Sequence, residues 1–228
     1  MNKTILALDT TNLEKAIDIT KKIKDKIFTI KLGLEFFNAH GKKGIQKFNE
    51  IGINNLMLDL KLKDIPNTVY KSIKALEDIK FGYLTVHGQG GKLMIDSAKK
   101  GANEIKSKPK IMMVTVLTAL NDADLEDMGM NSSVDEQVKS LAKMAKEMEV
   151  GVVCSGHEAK NVRKILGPDN LIFTPGIRMP NESANDQQRI CTPNESLLNG
   201  ADKIIMGRSL INGDIIKNLD KISNSIKI

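Results

Sequence analysis

The run DLKLKDIPNT, Asp59 to Thr68, carries two acids and two lysines within six residues. Asp59 and Lys61 stand two apart in a stretch that reads as a β-strand, so the pleat sends both side chains to one face and Leu58, Leu60 and Leu62 to the other. If the leucines meet helices, the charged pair faces the inside of the sheet. There a carboxylate and an ammonium must satisfy each other or a ligand. Lys31, in the preceding strand-like segment, falls beside Asp59 when the two strands are neighbours, and Asp9 closes the segment before that. Acids and lysines alternating at the carboxyl ends of three successive strands form a polar constellation suited to catalysis. Asp64 lies just past the strand and before the turn at Ile65 and Pro66, where it can lean away from its own barrel towards a neighbouring subunit.

A second group comes from TPGIR (Thr174 to Arg178) and MGRS (Met206 to Ser209). Gly176 and Gly207 permit close approach of backbone N–H groups to an anion, and Arg178 and Arg208 can grip a phosphate dianion. His87, in TVHGQGG, is a tempting general base, but a histidine packed at a strand end is the more frequent case. His40 and His157 lack partners at metal spacing, and Cys154 and Cys191 are far apart, so no metal site and no disulfide are expected.

Eight short apolar or β-branched runs supply the frame: Thr4 to Asp9, Phe28 to Gly33, Asn55 to Lys61, Tyr83 to Gly88, Lys110 to Leu117, Val150 to Ser155, Leu171 to Gly176 and Lys203 to Ser209. Between them lie lysine-rich stretches whose apolar residues recur every three or four positions, the helical period. Strand alternating with helix eight times predicts a parallel sheet closed into a (β/α)8 TIM barrel, with residues 1–228 as one catalytic domain. Two long polar connections, ALNDADLEDMGMNSS after the fifth strand and IRMPNESANDQQR after the seventh, are expected as loops at the end where barrel enzymes build their sites.

Composition narrows the class. Among 228 residues, 41% are hydrophobic and 27% charged, ordinary for a packed domain. The net charge of +6 could attract nucleic acid, but lysines are dispersed, Trp is absent, aromatics are 4% and arginine occurs only at 163, 178, 189 and 208. Neither a nucleic-acid partner nor a membrane is expected: the start MNKTILALD lacks the pattern of a signal peptide and no apolar stretch is long enough to span a bilayer, which predicts a cytoplasmic protein.

Taken together, DLKLKDIPNT, the opening ALD, KLG in the second strand, VLT in the fifth, TPGIR with NDQ after it, and MGRS near the end resemble the orotidine 5'-phosphate decarboxylase family over most of the chain. The resemblance implies a homodimer of (β/α)8 barrels with shared active sites. It implies cofactor-independent decarboxylation of orotidine 5'-monophosphate to UMP and carbon dioxide, the last step of pyrimidine synthesis. On that resemblance Lys61 is the proton donor to C6, flanked by Asp59 and by Asp64 of the other subunit, and Lys31 completes the charge network. On the same resemblance Asp9 and Lys31, with Asp64 and Thr68 from the other chain, hold the ribose hydroxyls, Ile65 belongs to the substrate-binding set, Thr118 meets the pyrimidine, and Gln187, Gly207 and Arg208 take the phosphate with Arg178 in support.

Two departures from the family pattern stand out: Ala119 follows Thr118 where Ser is common, and Lys63 stands where His is common. Neither touches the expected proton donor. Sister enzymes of this fold that act on sugar phosphates carry a Mg²⁺-binding Glu in the second strand. Lys31 occupies that place, and a lysine is no ligand for a hard cation.

Overall fold

The computed structural model describes residues 3–180 and 189–226. Eight parallel strands alternate with helices and close into a barrel in sequence order. The strands are β1 (Thr4–Leu8), β2 (Thr29–Gly33), β3 (Met57–Leu62), β4 (Tyr83–His87), β5 (Lys110–Val114), β6 (Gly151–Val153), β7 (Ile172–Thr174) and β8 (Lys203–Met206). The helices are α1 (Leu13–Ile23), α2 (Leu34–Glu50), α3 (Pro66–Lys74), α4 (Lys92–Glu104), α5 (Asp122–Asp127), α6 (Val134–Glu147), α7 (Ala159–Leu166), α8 (Pro193–Leu198), α9 (Arg208–Ile211) and α10 (Ile215–Ser225). By packing density the chain divides into two compact units, up to Met112 and from Met113 onward.

In the first unit, β1 and β2 pair from Ile5 opposite Thr29 to Leu8 opposite Leu32, and β2 and β3 pair from Lys31 opposite Met57 to Gly33 opposite Asp59. Every residue of β1 and β2 is buried, the continuous burial expected of a parallel sheet covered on its outer face. Helices supply that cover: α2 buries Phe36, Ile45 and Phe48, the two phenyl rings meeting edge to face with centroids 5.5 Å apart. The entry to α1 is fixed by Asn12, whose side chain accepts the Lys15 N–H at 2.8 Å, and α3 begins with Pro66, which needs no N–H there.

In the second unit, β6 pairs with β7 at Val152–Ile172 and Val153–Phe173, and β7 with β8 at Phe173–Lys203 and Thr174–Ile204. Helix α6 buries Val134, Val138, Leu141, Ala142 and Ala145, one stripe at helical spacing. Its start is a capping box of Ser133 and Glu136, and α8 starts on another, of Thr192 and Glu195.

Two expectations need correction. Most strands stop short of the sequence-based ends, because the chain there makes other bonds. The Ser155 N–H goes to the Glu158 carboxylate at 2.9 Å, Gly176 turns with φ +74°, and Arg208 begins a short helix. The polar connection after β5 is not all loop: α5 occupies its middle, held by a capping box between Asn121 and Asp124. The connection after β7 is pinched at its base, where Arg178 N–H donates to Cys191 O at 3.0 Å and Cys191 N–H to Gly176 O at 3.1 Å. Residues 181–188 within it, and with them Gln187, lie outside the described residues.

Candidate active site

Four charged side chains on the carboxyl ends of β1, β2 and β3 form one continuous array. Lys31 Nζ lies 3.4 Å from Asp9 Oδ1 and 3.1 Å from Asp59 Oδ2, and Lys61 Nζ lies 2.9 Å from Asp59 Oδ1. Asp9, Lys31, Asp59 and Lys61 therefore alternate in sign. The two central members are buried, whereas the end members are open, Asp9 with 55% and Lys61 with 34% of the side chain exposed.

Lys31 is not directly opposite Asp59. Gly33 is, and Lys31 reaches diagonally across from the position opposite Met57. A Cβ on Gly33 would come within 3.1 Å of Asp9 Oδ1 and 3.3 Å of Lys31 Nζ, so the absence of a side chain there makes room for the array.

Lys61 meets Asp59 by a route that simple alternation does not foresee. The β3–β4 ladder shifts register, with Leu58 opposite Leu84 and Leu62 opposite Val86, so Asp59, Leu60 and Lys61 face only Thr85. Lys61 takes a left-handed backbone, φ +46°, which costs a side-chain-bearing residue about 1 to 2 kcal/mol. Thr85, fully buried, fills the gap in the ladder: its Oγ1 accepts the Lys61 N–H at 2.8 Å and donates to Asp59 Oδ1 at 3.0 Å. A threonine within a strand is such ordinary β-branched material that nothing in the sequence marks it.

The electrostatics follow from this geometry. Burial by itself pushes the Asp59 carboxyl up, but the ammonium groups of Lys31 and Lys61 outweigh it and hold the carboxyl down at about 2. Burial likewise works against the Lys31 charge, and the carboxylates of Asp59 and Asp9 overcome it, raising its pKa. Asp59 and Lys31 are thereby held in their charged forms at neutral pH, and Lys61 stands at one open end of the array. Such an arrangement can stabilise an anion forming beside Lys61 and hand it a proton.

Of the remaining expected residues, Asp64 and Ile65 on the β3–α3 turn and Thr68 in the first turn of α3 are exposed, with Asp64 Oδ1 accepting the Ile65 N–H at 2.7 Å and Ile65 67% exposed. His87 is half-buried at the end of β4 and its Nδ1 accepts the Gln89 N–H at 3.4 Å; burial, with Lys63 and Lys61 nearby, lowers its pKa. Thr118 is half-buried past β5, Gly207 caps α9, Arg208 is exposed, and Arg178 is buried with Nη1 donating to Ile177 O at 2.9 Å. Cys154 and Cys191 are separate buried thiols, pushed up by burial to about 12 and about 11. Among the described residues no group of three or more His, Cys, Asp or Glu side chains is placed to hold a metal ion.

Sequence reasoning missed Arg189. Its Nη1 pairs with Glu158, and its Nη2 donates to Leu117 O at 2.8 Å and Val116 O at 3.3 Å. It thus ties the end of the β7–α8 connection to the residues just before Thr118. Glu158 Oε2 also accepts the Ser155 N–H, which leaves neither carboxylate oxygen unpaired.

Comparison with known proteins places these features. A model of the orotidine 5'-phosphate decarboxylase / HUMPS family matches residues 2–215. The chain is 41% identical over 229 residues to the orotidine 5'-phosphate decarboxylase of Ehrlichia canis, covering all of this chain and 99% of that one. It is 42% identical over 212 residues to that of Wolbachia pipientis, covering 92% of each. Among solved structures, the orotidine 5'-phosphate decarboxylase of Lactobacillus acidophilus superposes over the full length of both chains with a TM-score of 0.84 at 35% identity.

Proposed function

The chain belongs to the orotidine 5'-phosphate decarboxylase / HUMPS family, and from that membership we propose that it decarboxylates orotidine 5'-monophosphate to UMP, with Lys61 protonating C6 and no cofactor taking part. It is a carboxy-lyase of pyrimidine biosynthesis in this reading, and residues 1–228 act as one catalytic domain. The observation that carries the proposal is the Lys61 ammonium, 2.9 Å from Asp59 Oδ1 at the open end of an alternating charge array.

The C6–carboxylate bond breaks, carbon dioxide leaves, and the bonding pair stays on C6, where no conjugated electron sink receives it. The Lys61 ammonium gives its proton to that pair, and the resulting amine is reprotonated from solvent. Opposite unit charges ~4 Å apart at an effective dielectric near 20 gain about 4 kcal/mol, equivalent to about a thousandfold in rate. The ion pair with Asp59 holds the ammonium before the charge develops, so no reorganisation is needed at the moment of reaction. Asp9 and Lys31 are assigned to the ribose hydroxyls and Thr118 to the base. Arg178, Arg208, Gly207 and Gln187 are assigned to the phosphate. Asp64 on the β3–α3 turn and Thr68 in the first turn of α3, both exposed, are assigned to the partner's site across a homodimer contact, and Ile65 to the substrate-binding set.

The test is the loss of orotidine 5'-monophosphate absorbance with purified protein in EDTA. Turnover to UMP by the wild type that vanishes in Lys61→Ala supports the reaction and the donor together. A folded wild type that turns over nothing sinks the assignment.

A further inference from the structure

We propose that Thr85 is a positioning residue for the Lys61–Asp59 pair, an inference that rests on the decarboxylase reading above for its kinetic consequences but on geometry alone for its structural one. Two other buried threonines, Thr115 and Thr174, bring their hydroxyls to ladder carbonyls: Thr115 Oγ1 donates to Val153 O at 3.3 Å, and Thr174 Oγ1 lies 3.4 Å from Lys203 O and 2.7 Å from Ser196 Oγ. Thr85 instead makes both of its bonds to the two reacting residues on the neighbouring strand.

The hydroxyl has one proton, and the two contacts fix where it goes. The Lys61 N–H must donate to Oγ1, so the hydroxyl proton points to Asp59 Oδ1, the same oxygen that takes the Lys61 ammonium. The three groups close a ring: Lys61 backbone to Thr85, Thr85 to Asp59, Asp59 back to the Lys61 side chain. Lys61 is thereby held at both ends, and its left-handed backbone has a hydrogen-bond partner in a ladder whose register has slipped past it. Without the hydroxyl, the Lys61 N–H lacks that partner. The bulge is then free to relax to an ordinary φ, which carries the ammonium away from Asp59 Oδ1. Thr85 is fully buried beneath the pair and reaches no solvent.

Three substitutions read this out. Thr85→Val keeps the shape and removes the hydroxyl, Thr85→Ser keeps the hydroxyl and removes a methyl, and Thr85→Cys keeps a weak donor should the valine variant fail to fold. Misplacing a reacting group by an ångström is worth about a hundredfold, so kcat is expected to fall about 10- to 100-fold in Thr85→Val, with KM changed less than about threefold. Thr85→Ser should stay near the wild type and Thr85→Cys fall between. A folded Thr85→Val, or in its place Thr85→Cys, with wild-type kcat overturns the inference. So does a serine variant as impaired as the valine one, since that would mean packing and not the hydroxyl. Inactivity of the wild type would instead count against the decarboxylase reading. The crystal structure of the valine variant, or of the cysteine one, then decides separately: Lys61 displaced from Asp59 Oδ1 supports the positioning role, and an unchanged Lys61 with positive φ refutes it.

Discussion

Gly33 stands directly opposite Asp59 in the β2–β3 ladder, and the Asp9 carboxylate and the Lys31 ammonium crowd the space its missing side chain leaves. Its backbone is ordinary, with φ −96°, so alanine is conformationally permitted there. What alanine lacks is room, 3.1 Å from Asp9 Oδ1 and 3.3 Å from Lys31 Nζ. Gly33→Ala is expected to fold with little change in thermal midpoint but to lose about tenfold in kcat/KM, as the array shifts by a few tenths of an ångström. Steady-state kinetics beside a melting curve checks this, and undiminished kcat/KM would show that the array tolerates displacement.

The charge array gives stability a window in pH. The Asp59 carboxyl sits at about 2 in the fold against an ordinary 3.8, so its contribution is present above 3.8 and is lost as pH falls through about 2. Lys31 is held above its ordinary 10.5, so its contribution is present below 10.5 and is lost as pH rises through that higher folded value. The acid limb from Asp59 is on the order of 2 kcal/mol. Urea midpoints of wild type and Asp59→Asn should therefore converge as pH is lowered from about 5 to about 2. A constant difference across that range would mean that ionisation of Asp59 is not what stabilises the fold.

Arg189, half-buried, pairs with the buried Glu158, 19% and 9% exposed at the side chains, and the pair braces the second unit. Removing one partner leaves a buried charge without its counterion, a loss typically of about 3 kcal/mol or more. Arg189→Met is expected to lower the urea midpoint accordingly, while the double variant Arg189→Met with Glu158→Gln should be less destabilised than the sum of the two single changes. Strict additivity in that cycle would show that the two side chains act independently.

Sharing of Asp64 between subunits can be tested by mixing. Lys61→Ala and Asp64→Ala homodimers should each be nearly inactive. After subunit exchange at equal amounts, half the dimers carry one intact site of two, so activity should recover to about a quarter of the wild type. Verified exchange without recovery would place Asp64 in its own subunit's site or outside any site.

The periodicity of the sequence made the barrel legible, because continuous apolar runs of five or six residues and helical stripes such as Val134, Val138 and Leu141 admit few other packings. Lys31, Asp59 and Asp9 were legible for a related reason: charges inside a buried sheet must find one another. The strand ends were not, since hydrogen bonds such as Ser155 N–H to Glu158 join residues whose meeting no local pattern announces. Helix α5 left a readable trace in Asn121 followed three residues later by Asp124, a capping signature that the polar composition of the segment obscured. The slip at Lys61 and the service of Thr85 had no trace at all, because a period of two predicts the same contact between Asp59 and Lys61 from a regular pleat. Arg189 and Glu158 lie 31 residues apart, and only the folded chain joins them.

The formal charges of Asp9, Lys31, Asp59 and Lys61 cancel. Four alternating point charges make a multipole, whose field is intense within a few ångströms and dies away much faster than that of a net charge, well inside the ~8 Å over which physiological salt screens. This quartet therefore cannot draw an anionic ligand from a distance; it can only tell, once the ligand has arrived, whether each atom stands against the right sign. Capture and discrimination are thereby separated, and ionic strength should slow the first through charges elsewhere on the chain while leaving the second untouched.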